Sequence, residues 1–447
     1  MVPAQLAAEL DARSLSESAF QCFLHTNSTP PLPAGPPAVW NFELLTVAAM
    51  YFHPSLEVAR ADWAVAQGGD RTAAARLNPT VSAIPGYNFS AANGASPWIP
   101  ALSFDLPIEL AGKRAYRREQ ARQLTEAARL NIATTAWQVR AGLRGALLDF
   151  VAAHGREGRL RGQLALQERI VRSVEQRLQA GAVARTDLAT AQLARDKTRL
   201  DWLESQRLGR EARARVAEAI GLPVAALKDI EISAELPTPT AADGITAAAA
   251  REQALIGRAD VLAALANYQA SQAALQLEIA KQYPDLHLGP GYQFDQGDHK
   301  FTFGLTAELP LLNQNQGPIA EARARREAAA ARFKALQARV LAELDHARTA
   351  QEAAAAQLAA LEAVAASQQK QSEGVLGQIQ AGAADPLDRV TAELEAGVTE
   401  LARWDGQVRL QQARGALEDA LQRPLASLAP VRIESPPPAL QSKEQKP

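Results

Sequence analysis

The apolar residues of this chain change their spacing in a fixed order, and the order occurs twice. From Phe42 to about Leu77 they recur with a helical period, and from Pro79 to Leu110 they alternate. Gly112 to Ala180 then reads as one long helix, Gly181 to Asp187 as a turn, and a further helix runs to Ile220. Gly221-Leu222-Pro223 stops it. From Ile245 the series returns: a helix to about Gln282, an alternating segment from Pro284 to Leu312, a long helix, a turn and a helix. A period near 3.6 marks an amphipathic helix and a period of two marks a half-buried strand.

The last hairpin, Gly317 to Pro424, is the strongest of these signals. Phe333, Leu336, Val340, Leu344 and Ala347 step by three or four residues, the seam of a coiled coil. A helix from Ile319 to Ile379 is about 90 Å long at 1.5 Å per residue. Gly382 suits the position after a helix end, Asp385 reads as an N-cap and Pro386 as the first helical residue. The chain therefore turns and runs back from Leu387 to about Leu421. A hairpin of this length needs other helices beside it to bury its seam.

The repeat is visible in residues as well as in order. Arg60-Ala61-Asp62 returns as Arg258-Ala259-Asp260, Pro85-Gly86-Tyr87 as Pro290-Gly291-Tyr292, and Leu106-Pro107-Ile108 as Leu309-Pro310-Leu311. Gln179-Ala180-Gly181-Ala182 with Asp187 returns as Gln380-Ala381-Gly382-Ala383 with Asp388, and Pro223 as Pro424. Each pair lies about 200 residues apart, the mark of an internal duplication. The expected organisation is an N-terminal extended segment over residues 1–41, a first repeat over 42–223, a connector over 224–244, a second repeat over 245–424 and a disordered tail over 425–447. The connector is expected to hold a short strand or helix.

The alternating segments give four strands, two per repeat. Leu286, Leu288, Tyr292 and Phe294 lie on one face, with Asp285, His287, Gln293 and Asp295 on the other. Phe301, Phe303, Leu305 and Ala307 alternate with Lys300, Thr302, Thr306 and Glu308. In the first copy Val81, Ala83 and Tyr87 alternate with Thr80 and Ser82, and Leu102, Phe104, Leu106 and Ile108 with Ser103, Asp105 and Glu109. The strands are about 10 to 12 residues, the length a tilted strand needs to cross a bilayer. One reading is a soluble hairpin pair packed on helices. The other is a lipid-facing sheet. Four strands cannot close a barrel, and lipid does not tolerate an open edge, so in that case several chains must share one barrel. The fold class is mainly α with a small β part: long coiled-coil hairpins plus four amphipathic strands, duplicated.

Composition narrows the function. With 47 basic and 49 acidic residues there is no basic stripe, which excludes nucleic acid. Cys22 is the only cysteine, so no internal disulfide and no Cys-based metal site is expected. No run of 18 apolar residues marks a transmembrane helix. Met1 to Gln21 lacks a basic n-region and an apolar h-region, so no signal peptide is visible. No Ser/His/Asp set, paired-His spacing or phosphate loop suggests an enzyme or a cofactor. His53, His154, His299 and His346 are isolated.

The doubled order of helix, strand pair, long helix, turn and helix resembles that of the TolC-like outer-membrane efflux protein family. Asn78-Pro79-Thr80, Pro107-Ile108-Glu109-Leu110-Ala111-Gly112-Lys113-Arg114 and Leu309-Pro310-Leu311-Leu312-Asn313-Gln314-Asn315-Gln316-Gly317 are similar to its CzcC-type branch, the outer-membrane partners of heavy-metal RND exporters. The turns match too, with Gly181 and Gly382 each followed six residues later by Asp187 and Asp388. The resemblance implies a homotrimer with one 12-stranded barrel in outer-membrane lipid and a helical tunnel in the periplasm. It also implies partners, a periplasmic adaptor (membrane fusion) protein and an inner-membrane RND pump, and a passive conduit for heavy-metal cations. Drug-efflux or type I secretion channels of the same family, and a soluble helical tether, are the alternatives. In TolC itself an aromatic and a basic residue near the second turn help lock the tip. Ile379 and Ala384 stand at the corresponding positions, so any lock here is built differently.

Site candidates fall in two groups. At the tip, Asp388 either joins a ring of carboxylates that filters cations or stabilises a helix N-terminus. Asp385 reads as a cap, Asp187 is its counterpart region's carboxylate, and Arg185 is a possible partner for Asp187 or Asp388. At the strands, Asp105, Glu109, Asp285, His287, Asp295 and Glu308 are expected on the lumen wall, where solvated carboxylates attract hydrated cations without holding them. No tight metal site is expected.

Overall fold

The structure, a computed structural model, describes residues 2–27, 37–91, 94, 96–236, 246–295, 297–381, 383 and 385–424. In chain order the elements are α1 (Pro3–Asp11), α2 (Ser18–Asn27), β1 (Val39–Trp40), α3 (Phe42–Phe52), α4 (Pro54–Ala74), β2 (Thr80–Tyr87), β3 (Trp98–Ile108), α5 (Lys113–Gln179) and α6 (Arg185–Ile220). A 3-10 turn (Val224–Leu227) and β4 (Glu231–Ile232) follow. Then come α7 (Ala247–Ile256), α8 (Ala259–Ala280), β5 (Leu286–Asp295), β6 (Asp298–Ala307), α9 (Gln316–Gln380) and α10 (Pro386–Leu421). The doubled order stands: two helices, two strands and a long hairpin in each half. Each half opens on two helices rather than the single helix expected. Pro54 disfavours helical backbone at His53, which is extended at φ −70° and ψ 123°.

The chain forms two compact units. One comprises residues 1–58, 132–258 and 339–447, and the other 59–131 and 259–338.

In the first unit a core gathers Phe20 and Leu24 of α2, Trp40 of β1, Leu45 and Phe52 of α3, Leu143 of α5, Val216 and Ile220 of α6, and Ile232 of β4. Phe20 stacks with Trp40 at 6.3 Å and meets the tilted ring of Phe52 at 4.9 Å. Strand β1 pairs in parallel with β4, Trp40 opposite Ile232. Residues 3–27 thus correct the expectation of an extended segment: they are two helices, and α2 places Phe20 and Leu24 at zero exposure. The signal was the i, i+3, i+4 spacing of Phe20, Phe23 and Leu24. The Thr29–Pro33 stretch, residues 237–244 of the connector and the tail 425–447 lie outside the described residues. The described part of the connector holds both a helical turn and a strand.

Helices α5 and α10 run antiparallel, joined by arginines on α5 and acids on α10. The pairs are Arg140 and Arg144 with Glu418, Arg156 with Asp405, Arg159 with Glu400, Arg169 with Glu393 and Arg177 with Asp385. Between them Trp404 lies against Gly155, where even a methyl group would collide with the indole at 2.2 Å. Its Nε1–H donates to Ala152 O at 3.2 Å. On α9 the expected seam is buried at Val340, Leu344 and Ala347.

The second unit carries an antiparallel sheet in the order β2-β3-β5-β6. Sharp turns lead from strand to helix in both halves, with left-handed backbone at Ala111 and Gly112 in one and at Asn315 in the other. Lys113 locks the first turn, donating to Tyr283 O and Asp285 at 2.8 Å each. Arg114 and Arg117 donate to Ala74 O and Ala73 O, satisfying carbonyls at the end of α4. In the second half the Asn315 amide donates to Glu278 O and Oε2 at 2.8 and 2.9 Å.

Candidate functional site

Strand register aligns most of the apolar positions of the sheet on one face, with Ile84, Ile99 and Ala101 on the other. Ala83, Leu102, Tyr292 and Phe301 form one row across the four strands. Leu106, Leu288 and Leu305 form a second, and Ile108, Leu286 and Ala307 a third. This face is uncovered: Phe301 is 81% exposed, Phe303 73% and Leu305 63%. Its aromatics gather toward the strand connections. Tyr87 meets Trp98 at 5.1 Å and Phe89 at 5.0 Å, Tyr292 meets Phe301 at 5.2 Å, and the Tyr292 hydroxyl hydrogen-bonds His299 Nδ1 at 2.8 Å. Sequence reasoning missed this clustering, because the strand pairing that creates it is not local. A row of interfacial aromatics bounding an apolar band is the usual pattern of lipid-facing strands.

The opposite face is polar, but its charged residues are sorted unevenly. Asp105 and His287 come together, His287 Nδ1 lying 3.0 Å from both carboxylate oxygens. Asp295 is neutralised by Lys300 at 2.6 Å, which in turn raises the Lys300 ammonium above its ordinary range. Glu109 is gripped by Arg117 through two bonds, at 2.6 and 3.1 Å. Asp285 accepts from Lys113 and from Leu110 N–H at 3.0 Å. Glu109 and Asp285 thus hold the first strand-to-helix turn, whereas sequence reading expected them as solvated wall carboxylates. Glu308 is exposed and has no ion-pair partner among the described residues.

At the other candidate site, the hairpin ends, the carboxylates act as caps. Asp187 accepts from Ala184 N–H at 3.0 Å at the start of α6, and Asp388 from Asp385 N–H at 2.9 Å at the start of α10. Asp385 accepts from Leu387 N–H at 2.9 Å and pairs with Arg177 of α5. These two contacts, the backbone donor first, hold its carboxyl below the usual carboxylate range. Gly181 takes left-handed backbone at φ +73°, as its place after α5 required. Gly382 and Ala384 lie outside the described residues. Arg185 is exposed and pairs with neither Asp187 nor Asp388 among the described residues. The basic partner at this end is Arg177, which sequence reading did not single out; its place in the last turn of α5 was the available signal. No helix among the described residues is long and apolar enough to cross a membrane, and no group of three or more His, Cys, Asp or Glu there could hold a metal ion.

Comparison with known proteins agrees with this geometry. Residues 48–222 match the family model described as "Outer membrane efflux protein". The cobalt-zinc-cadmium resistance protein CzcC of Cupriavidus metallidurans is 23% identical over 218 residues, 48% of this chain and 51% of that protein, so the match spans about half of its length. Among solved structures, the outer-membrane channel OprN superposes with a TM-score of 0.72 at 20% identity, over 95% of this chain and 96% of its own. The outer membrane protein VceC of Vibrio cholerae gives 0.70 at 21% identity, over 86% of this chain and 97% of its own. The mostly helical fold with its small sheet is that of these solved structures, and the stretch over residues 48–222 is similar to the outer membrane efflux protein family.

Proposed function

We propose that three copies of this chain close one 12-stranded barrel and form the passive outer-membrane conduit of a tripartite efflux system. The observation that carries this reading is the sheet: four strands, an exposed apolar face, and two edges, β2 and β6, that no strand among the described residues covers. An open edge in hydrocarbon leaves backbone groups unpaired at several kcal/mol each, and cyclic closure removes it. A periplasmic adaptor and an inner-membrane RND pump complete the system and supply the energy. The cargo we propose is heavy-metal cations. The likeness to a cobalt-zinc-cadmium resistance protein supports this, as do the CzcC-like stretches around Lys113 and Gln316.

Native mass spectrometry of the detergent-extracted protein tests the assembly. Three chains are expected, and a stable folded monomer overturns the shared barrel. Deleting the gene should sensitise cells to cobalt, zinc, cadmium, nickel, copper or silver. Sensitivity to hydrophobic drugs alone would replace the cargo and keep the conduit.

A further inference from the structure

We propose that His287, oriented by Asp105, is a single-imidazole landing site for a borderline divalent cation such as Zn2+ or Co2+ on the polar face of the sheet. The proposal rests on the conduit reading for its purpose and on the sheet alone for its chemistry. Register places Pro107 opposite His287 and Leu106 opposite Leu288, so Asp105 on β3 is a diagonal, same-face neighbour of His287 on β5. Such diagonal pairs are within reach of long side chains. A carboxylate only accepts hydrogen bonds, so the ring nitrogen 3.0 Å from it, Nδ1, carries the proton. In the neutral ring Nε2 is then bare, and its lone pair is free for a metal. A carboxylate behind one ring nitrogen is how ligating histidines are oriented and made more basic.

The surroundings favour a cation there. Gly289 lies one same-face step from His287 and pairs with Gly304 of β6. A side-chain carbon at either would meet only backbone atoms, the nearest at 3.4 Å, so the floor beside His287 carries no side chain. Thr306 of β6, directly opposite His287, adds a hydroxyl on the same face. Asp295 is neutralised by Lys300, while Asp105 has no lysine or arginine partner among the described residues. Its charge is therefore free to attract a cation toward the imidazole. Both partners are less than half exposed, at 41% and 44%. With no cluster of three ligating side chains among the described residues, water must complete the coordination shell. Imidazole prefers zinc, cobalt or copper over magnesium and calcium, which take oxygen ligands. One protein ligand makes the site weak and fast to exchange, as a conducting wall requires.

The test uses the full chain in detergent. Histidines are modified with diethyl pyrocarbonate and read by peptide mass spectrometry, with ZnCl2 or MgCl2 added. Zn2+ should protect His287 and leave the exposed His25 and His346 reactive, and Mg2+ should protect none. Asp105→Ala should raise the Zn2+ concentration for half-protection by about tenfold. Equal protection of all histidines, no protection of His287, or an unchanged midpoint in Asp105→Ala would overturn the site. Protection of His287 in a protein that fails to trimerise would keep the site and remove the conduit.

Discussion

Helix α10 carries an aspartate near each end, and the two are held in opposite ways. Asp385, at the N-terminal end, accepts a backbone N–H and pairs with Arg177, and its carboxyl lies below the ordinary range. Asp419, in the last turn, has one oxygen 2.5 Å from Arg144 and the other buried without a partner among the described residues. Burial pushes its carboxyl above the ordinary range, and Arg144 offsets this only in part. A helix N-terminus offers free N–H groups and the positive end of the dipole, whereas the last turn offers neither. Water makes the second difference. The α5–α10 contact is closed at its base by shielded charges and the Trp404 indole, and toward α10's start by exposed pairs that water and salt weaken.

Glu418 should break this comparison most sharply. It accepts from Arg140 at 2.9 Å and Arg144 at 2.6 Å, and all three side chains are nearly buried. Glu418→Ala strands the shielded Arg140 guanidinium and leaves Arg144 with Asp419 as its one carboxylate among the described residues, which costs about 3–5 kcal/mol in denaturant unfolding. Arg169→Ala is the control, since its pair with Glu393 is long at 3.4 Å and half exposed. It should cost less than about 1 kcal/mol. Equal losses in the two variants would mean that base and tip are held alike.

The two aspartates should also answer pH with opposite signs. For Asp419 the folded-state pKa is raised, so the stability tied to its proton is full below the unfolded pKa and is lost as pH rises through the folded one. Asp385 is depressed, so its contribution is present above the unfolded pKa and is lost as pH falls through the folded one. Thermal melts of Asp419→Asn should therefore gain on the parent as pH rises from about 4 to 7. Asp385→Asn should instead show its full deficit at about pH 5 and above, and approach the parent as pH falls below about 4. The same direction for both variants would sink the account.

These contrasts mark what the sequence could say. The long helices, their turns and the four strands were legible because each rests on local signals: the coiled-coil step, Gly181, Asp385-Pro386 and strict alternation. The apolar face of the sheet was legible for the same reason. What escaped was pairing. Glu109 and Asp285 read as wall carboxylates because nothing local says that left-handed backbone at Ala111 and Gly112 brings the first turn of α5, with Lys113 and Arg117, back onto them. Arg177 meets Asp385 only because α5 and α10, some 200 residues apart in sequence, pack antiparallel. Helix α2 was missed because its ten residues carry a pattern too short to stand out beside helices of 65 and 67.

The smallest expected effect separates two roles of Asp388. Its carboxylate accepts from Asp385 N–H at 2.9 Å, so the cap is sufficient reason for an aspartate there. A second role, in a ring of three carboxylates at a pore, needs the charge as well as the acceptor. Asp388→Asn removes the charge and keeps an amide oxygen that can accept the same N–H. The melting temperature should therefore stay close to that of the parent. If the ring exists, cation selectivity in planar bilayers should fall in this variant at 0.1 M salt, where the screening length is about 10 Å, and converge with the parent near 1 M, where it is about 3 Å. Asp187→Asn repeats the test at the equivalent cap of α6, which keeps the same bond to Ala184 N–H. Unchanged selectivity in both variants would leave the two residues as caps alone. A change in only one would show which hairpin end faces the conducted ions.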